Sequence, residues 1–194
     1  MTVSDANPLT FQEQSMQSNK RAYAGIGSRE TPQSIIARME QLGRRLAEQG
    51  LVLRTGNCQG ADQAFAHGAD AVAPHLVELY LPWPGYEADS IVLGNKVYAT
   101  PSRQAYAIAA KHHPAWQQCS QAAQALHAWN VQIILGAKLS QPVEFVLCWT
   151  PRGKAVGGTA MGIRIAEAYG IEVRNLAAEE ESERPAERQA EFAW

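Results

Sequence analysis

Cysteine is scarce in this 194-residue chain: Cys58, Cys119 and Cys148 are widely separated and odd in number. That argues against a disulfide framework, and the expectation is reduced thiols in a cytoplasmic protein. Long apolar runs are missing as well. Nothing approaches the roughly 18 consecutive apolar residues of a membrane span, so no membrane partner is expected. The opening residues are polar rather than charged and then apolar, which argues against a secretory leader. Charge of one sign is also lacking, since 17 Lys+Arg against 19 Asp+Glu leave a formal net charge of −2. A polycation built to coat nucleic acid is thereby excluded, although a local basic groove is not. The rest is ordinary for a chain with a core: 46% hydrophobic and 19% charged.

At roughly 100–200 residues per domain, the length points to one domain. Residues 1–20 are polar and aperiodic and read as a loose arm, while 178–194 begin an acidic tail at Glu179–Glu181. Phe192 and Trp194 in that tail are able to dock on the body or on a partner subunit. Between them, residues 21–177 alternate strand and helix signals. Arg21–Gly27 is an apolar run ending in glycine. Thr31 as N-cap and Pro32 at the first helical position start a helix whose apolar face is Ile35, Ile36, Met39, Leu42 and Leu46. Gly50 ends it. Strands follow at Leu51–Gly56 and His75–Leu81, with an alanine-rich helix from Ala61 to Val72 between them. Tyr86 to about Arg103 reads as a long irregular loop. Helices are expected from about Ser102 to Lys111 and from Ala115 to Leu139. A buried strand at Glu144–Thr150, a helix opened by Gly157-Gly158-Thr159, and a closing strand at Ile171–Leu176 complete the pattern. This alternation predicts an α/β, Rossmann-like, doubly wound and mainly parallel sheet with helices on both faces.

In such a sheet ligands bind beyond the carboxyl ends of the strands, and three strand-to-helix loops here are rich in glycine. They are Gly25-Ile26-Gly27-Ser28-Arg29, Thr55-Gly56 through Gly60-Ala61-Asp62, and Gly153 through Gly157-Gly158-Thr159. Glycine lets a backbone approach an anion, and the following helix offers unpaired N–H groups. Ser28, Thr55 and Thr159 are candidate hydroxyl donors, and Arg29, Arg152 and Lys154 candidate cations. The expected guest is a phosphate-bearing nucleotide. Asp62 either stabilises its helix dipole or recognises ribose and acts as a general base. Arg29 either pairs with Glu30 or Glu87 at the surface or contacts phosphate. Trp83 and Tyr86 either stack on a base or pack their own loop.

Several other chemistries find no pattern. Glu30 stands where the dinucleotide fingerprint needs its third glycine, and no Gly-Lys-Ser/Thr triplet makes a Walker A loop. No nucleophile elbow occurs, and Cys58 reads as packing. His112, His113, Cys119 and His127 fit no compact zinc spacing, so no metal and no resident cofactor are expected.

Taken together, Gly25-Ile26-Gly27-Ser28-Arg29, the segment Thr55-Gly56…Gly60-Ala61-Asp62…Ala66-His67-Gly68-Ala69, and Gly157-Gly158-Thr159 resemble the DprA/Smf and YpsA-like branch of the SLOG superfamily. The resemblance spans about Arg21 to Leu176. It implies a Rossmann-like nucleotide-binding fold, often a homodimer, whose members bind nucleotides, cleave nucleotide monophosphates, or bind single-stranded DNA. Two departures bear on which. The lonely-guy phosphoribohydrolases carry a glutamate three residues after the threonine, where this chain has Gly162; Glu167 is eight past Thr159, about 12 Å along the axis. The DprA-like Arg-Asn-Arg start has its counterpart at Trp129-Asn130-Val131, which keeps only Asn130, a candidate ligand contact or helix cap. Arg29, Arg54, Lys96, Arg103 and Lys111 keep DNA as a possible partner. The leading expectation is a module that binds a nucleotide or ADP-ribose-like ligand on Gly25, Gly27, Ser28, Arg29, Thr55, Gly56, Gly60, Asp62, Trp83, Asn130, Gly157, Gly158 and Thr159. The alternatives are a single-stranded-DNA-binding recombination mediator and an N-glycosidic hydrolase using Asp62.

Overall fold

The computed structural model describes residues 21–87, 96–155 and 157–178; the N-terminal arm and the tail beyond 178, with Phe192 and Trp194, lie outside them. Strands β1 (Ala22–Gly27), β2 (Val52–Thr55), β3 (Val77–Leu81), β4 (Lys96–Ala99), β5 (Phe145–Trp149) and β6 (Glu172–Asn175) form one sheet in the order β4-β3-β2-β1-β5-β6. Every pairing is parallel, with Ala24 opposite Arg54 on one side of β1 and Val146 on the other. The helices are α1 (Gln33–Glu48), α2 (Ala61–Asp70), α3 (Arg103–His112), α4 (Gln121–Leu135) and α5 (Thr159–Ala168). Helices α1 and α2 pack on each other, and α3, α4 and α5 form a second group. The fold is the expected Rossmann-like α/β class.

The strand order reverses at β1. Chain progress runs outward through β2, β3 and β4, then returns to β5 on the opposite flank of β1. Right-handed crossovers in the two directions place their helices on opposite faces, leaving a crevice above the carboxyl ends of β1 and its neighbours. The central strands are buried on both faces, so they read as continuous apolar runs rather than alternating ones: Tyr23, Ala24, Leu53, Val77, Leu79 and Val146 are all inaccessible. Helix α4 is likewise buried all round in its last two turns, Ala128 through Leu135, with Asn130 and Gln132 the polar residues among them.

Boundaries differ from the expectations in instructive ways. Thr31 does not cap α1; its hydroxyl donates back to the Ser28 carbonyl at 2.7 Å, and Pro32 precedes the helix without a side-chain cap. Gly50 does end it, at φ +80°, with the Leu51 N–H reaching the Leu46 carbonyl. The helix read as Ala115 to Leu139 is a short 3₁₀ turn, Trp116–Gln118, followed by α4. Ser120 starts that helix by accepting the Ala123 N–H at 3.2 Å, and Gly136 stops it at φ +80°. The segment read as irregular contains a strand. β4 pairs with β3 over four residues, and Tyr98 stacks on Tyr80 with ring centroids 4.8 Å apart. As an exposed edge it needs no continuous apolar run, so it carries little sequence signal.

Helices α1 and α2 approach closely because Gly43 and Gly68 face each other's backbones. A Cβ on Gly68 would lie 1.9 Å from the Glu40 carbonyl oxygen, and one on Gly43 2.5 Å from that of Phe65. Gly68→Ala is expected to drive the pair apart at a cost of about 1–3 kcal/mol, since the obstacle is backbone rather than a pliable side chain. At about 2–4 °C per kcal/mol for a chain of this size, thermal unfolding reads the effect directly. An unchanged melting temperature would contradict this packing.

Candidate functional site

The first two glycine-rich loops are held together by backbone and by one carboxyl group. The Ser28 N–H donates to the Trp149 carbonyl at 3.1 Å, anchoring the β1 loop to the end of β5. The Ala61 N–H reaches the Ser28 carbonyl at 3.4 Å, joining it to the β2 loop. Gly60 makes that contact possible: its φ is +87°, and a Cβ there would sit 2.6 Å from the Ser28 oxygen. Asp62, in the first turn of α2, accepts the Gly27 N–H on Oδ1 at 3.1 Å, and the Gly56 and Cys58 amides also hydrogen-bond its carboxyl group. Burial nevertheless dominates and lifts its pKa to about 7, against those three amides and the Arg29 charge, which favour the anion.

These loops border a cavity of about 460 Å³ at the reversal point of the sheet. Gly27, Ser28, Arg29, Asp62, Asn130, Gly157, Gly158 and Thr159 all line it. Three separate crossover junctions therefore meet on one space. The third contributes the start of α5, which has no side-chain cap and no acidic residue in its first turn. At Gly157 and Gly158 an added Cβ would meet nothing within 4 Å, so this helix start opens on free volume.

Five expected site residues stand behind the wall rather than on it. A Cβ on Gly25 would press on Phe65 at 2.6 Å, so this glycine serves packing. The Thr55 hydroxyl is fully buried and donates to the Gly25 carbonyl, which leaves no donor for a ligand. Gly56 lies under Trp129, and Gly60 under the β1 loop. Trp83 is 38% exposed outside the cavity and packs edge-on against Tyr86 at 5.1 Å. Asn130 is on the wall, with its Nδ2 donating to the Leu126 carbonyl at 2.9 Å. Gly162, the place of the phosphoribohydrolase glutamate, is buried; a Cβ there would meet the Ile26 tip at 2.5 Å and the Asn130 oxygen at 3.2 Å. Glu167 is exposed and does not line the cavity.

Other lining residues escaped the sequence reading. Trp129 and Leu126 come from α4, where they look like ordinary core positions, and Pro151 follows β5. Tyr86, expected to stack on a base or pack its own loop, accepts the Arg29 guanidinium at 2.9 Å and lies 3.1 Å from the Cys58 thiol. Arg29 also reaches Glu87 at 3.5 Å with its own side chain 61% exposed, a weak bridge that leaves it able to swing toward a guest. Burial and Asp62 push the Cys58 thiol up to about 11, which favours the protonated form. Of the cations offered for DNA, Arg54 is buried and bound to Glu78 at 3.0 Å, and Lys96 sits 4.0 Å from the same carboxylate. Among the described residues no helix is long and apolar enough to cross a membrane.

No family model and no curated protein matches the chain. Among solved structures, it is similar to DNA processing protein A from Helicobacter pylori, whose single-stranded DNA binding mode has been described. The TM-score is 0.53 at 15% identity, over 84% of this chain and 67% of that one. The Moco carrier protein of Chlamydomonas rheinhardtii gives a TM-score of 0.49 at 15% identity, over 81% and 76%. At such identity the first likeness concerns the fold.

The buried Asp62 makes stability depend on pH in a defined direction. Its folded value of about 7 exceeds the unfolded 3.8, so across that window the folded chain keeps a proton that the unfolded chain has released. Stability from this group is greatest below the window and falls as pH rises through it, by up to about 1.4 kcal/mol per pH unit. Asp62→Asn cannot titrate. Urea unfolding is expected to show wild type losing ground to the variant from pH 4 to 7 and holding level above; parallel profiles would contradict the assignment.

Proposed function

We propose that this protein belongs with the SLOG-type Rossmann proteins and binds a nucleotide or nucleotide-derived, ADP-ribose-like ligand, as sensor, carrier or sequestering protein. The phosphate takes the α5 start and the Gly27–Ser28 amides, and Arg29 leaves Tyr86 and Glu87 to pair with it. One observation carries this reading: among the described residues, the glycines of the cavity wall whose Cβ positions are open, Gly157 and Gly158, stand at an uncapped helix N-terminus facing that cavity. Unpaired N–H groups and the helix dipole favour an anion there, and the 460 Å³ space has room for more than inorganic phosphate. Trp129 and Tyr86, 5.6 Å apart, offer an aromatic corner for the base.

The reading extends to one domain over residues 21–177 and to a homodimer in a reducing cytoplasm, consistent with three free cysteines. Single-stranded DNA is the competing guest, supported by the fold likeness to a protein that binds it. Arg54 argues against it, because it is buried and bound to Glu78. Turnover at the N-glycosidic bond would have to rest on Asp62, since glycine stands at 162 in place of the usual glutamate.

Gly158→Asp separates binding from folding. Its backbone is helical at φ −62° and its surroundings are open, so the new carboxylate fits without strain at the positive end of the helix dipole, and stability is expected to hold or rise by up to about 1 kcal/mol. Binding of AMP and ADP-ribose, followed by calorimetry, is expected to fall at least about tenfold in that variant, and about 10–100-fold in Arg29→Ala. Retained nucleotide affinity in both would overturn the site. Salt-dependent retention of single-stranded DNA by a chain that ignores nucleotides would favour the competing guest, and free base released from AMP, lost in Asp62→Asn, would favour the hydrolase.

A further inference from the structure

Away from that cavity, the fold gathers three metal-ligating side chains whose sequence spacing conceals them. His113 immediately follows α3, Cys119 follows the 3₁₀ turn Trp116–Gln118, and His127 lies in the second turn of α4. One ligand atom from each lies within 4.8 Å of the other two, and all three residues are half-buried. The Cys119 Sγ is 3.7 Å from His113 Nδ1 and 3.8 Å from its Nε2, and the two imidazole rings stand 4.3 Å apart. Trp116 walls the cluster, 6.2 Å from His113 and 6.4 Å from His127. His112, adjacent in sequence, is not among them.

A second observation points to a guest. His127 Nδ1 is buried and has no hydrogen-bond partner among the described residues, a costly state for a ring nitrogen unless something pairs it. We propose that His113, Cys119 and His127 bind one borderline transition-metal ion of the zinc class, with a fourth position left to solvent. Two imidazoles and a thiolate suit such an ion and are poor ligands for magnesium or calcium, which prefer oxygen. Metal–ligand bonds of about 2.0–2.3 Å in a tetrahedron place ligand atoms about 3.3–3.6 Å apart, so the set closes by about 1 Å on binding. Cys119 releases its thiol proton to solvent and binds as thiolate, while both histidines bind neutral. His113 Nδ1 accepts the Ala115 N–H at 3.1 Å, and coordination gives up that bond by either route: Nδ1 would turn its lone pair to the ion, or Nε2 would bind it with the proton moved to Nδ1. The ion ties the end of α3, the connecting turn and α4 together. Helix α4 also carries Leu126, Trp129 and Asn130 of the cavity wall, yet none of the three ligands lines the cavity.

The test uses the reduced full chain after chelator treatment, titrated with Co²⁺ and then Zn²⁺. The expected result is one Co²⁺ per chain with a sulfur-to-cobalt charge-transfer band, displaced by Zn²⁺, and a metal-dependent rise in melting temperature. Cys119→Ser is expected to lose the band, and both it and His127→Gln to weaken Zn²⁺ binding on the order of 100-fold. His112→Gln leaves both readouts unchanged. Each variant is compared with itself in excess chelator, so altered folding is subtracted. Absence of the charge-transfer band in wild type, or wild-type Zn²⁺ affinity in both ligand variants, would overturn the proposal.

Discussion

A single buried carboxyl group, Asp62, holds the front of the molecule in register. It takes the Gly27 N–H from the β1 loop together with amides of its own β2 loop, so two crossovers that are 35 residues apart in sequence behave as one rigid surface. Its burial is unfavourable for the charged form, and the raised pKa records that cost. The arrangement persists because each polar group in it is answered: Ser28 binds the end of β5, and Gly60 passes beneath Ser28 where no side chain fits. An acidic group placed at a helix start would ordinarily compete with an anionic guest for the same N–H groups. Here that acid occupies the start of α2 and leaves the start of α5 open.

The glycines divide by what surrounds them. Gly25, Gly27, Gly56 and Gly60 are packed against side chains or backbone, and they shape the wall. Gly157 and Gly158 face empty space, and nothing in the packing demands them. Gly157 uses its freedom at φ +66° to turn the chain into α5, whereas Gly158 has an ordinary helical backbone that any residue adopts. A small residue kept where a larger one fits is what close approach by a ligand requires.

The alternating apolar runs and glycine stops made the parallel sheet legible, because strands buried on both faces leave an unbroken signal. The three loops were legible for the same reason, since each lies where such a run ends. What escaped detection lay where local pattern is weak. β4 is a solvent-facing edge, Ser120 caps a helix inside a stretch that is alanine-rich throughout, and Trp129 reaches the cavity from a helix turn that is buried all round. Thr55 and Gly56 sat in the right loop but on its hidden side, a distinction that spacing does not encode. The His113, Cys119 and His127 group failed a spacing test because its members arrive from a helix end, a turn and a second helix.

The central claim is that amides from separate crossovers converge on one anionic guest, and backbone amide NMR during titration with ADP-ribose tests it most directly. The account predicts saturable shifts concentrated at Gly27–Glu30, Cys58–Asp62 and Gly157–Met161, moving together with one binding constant. Shifts confined to the β4 edge or the chain termini, with those three loops silent, would contradict it.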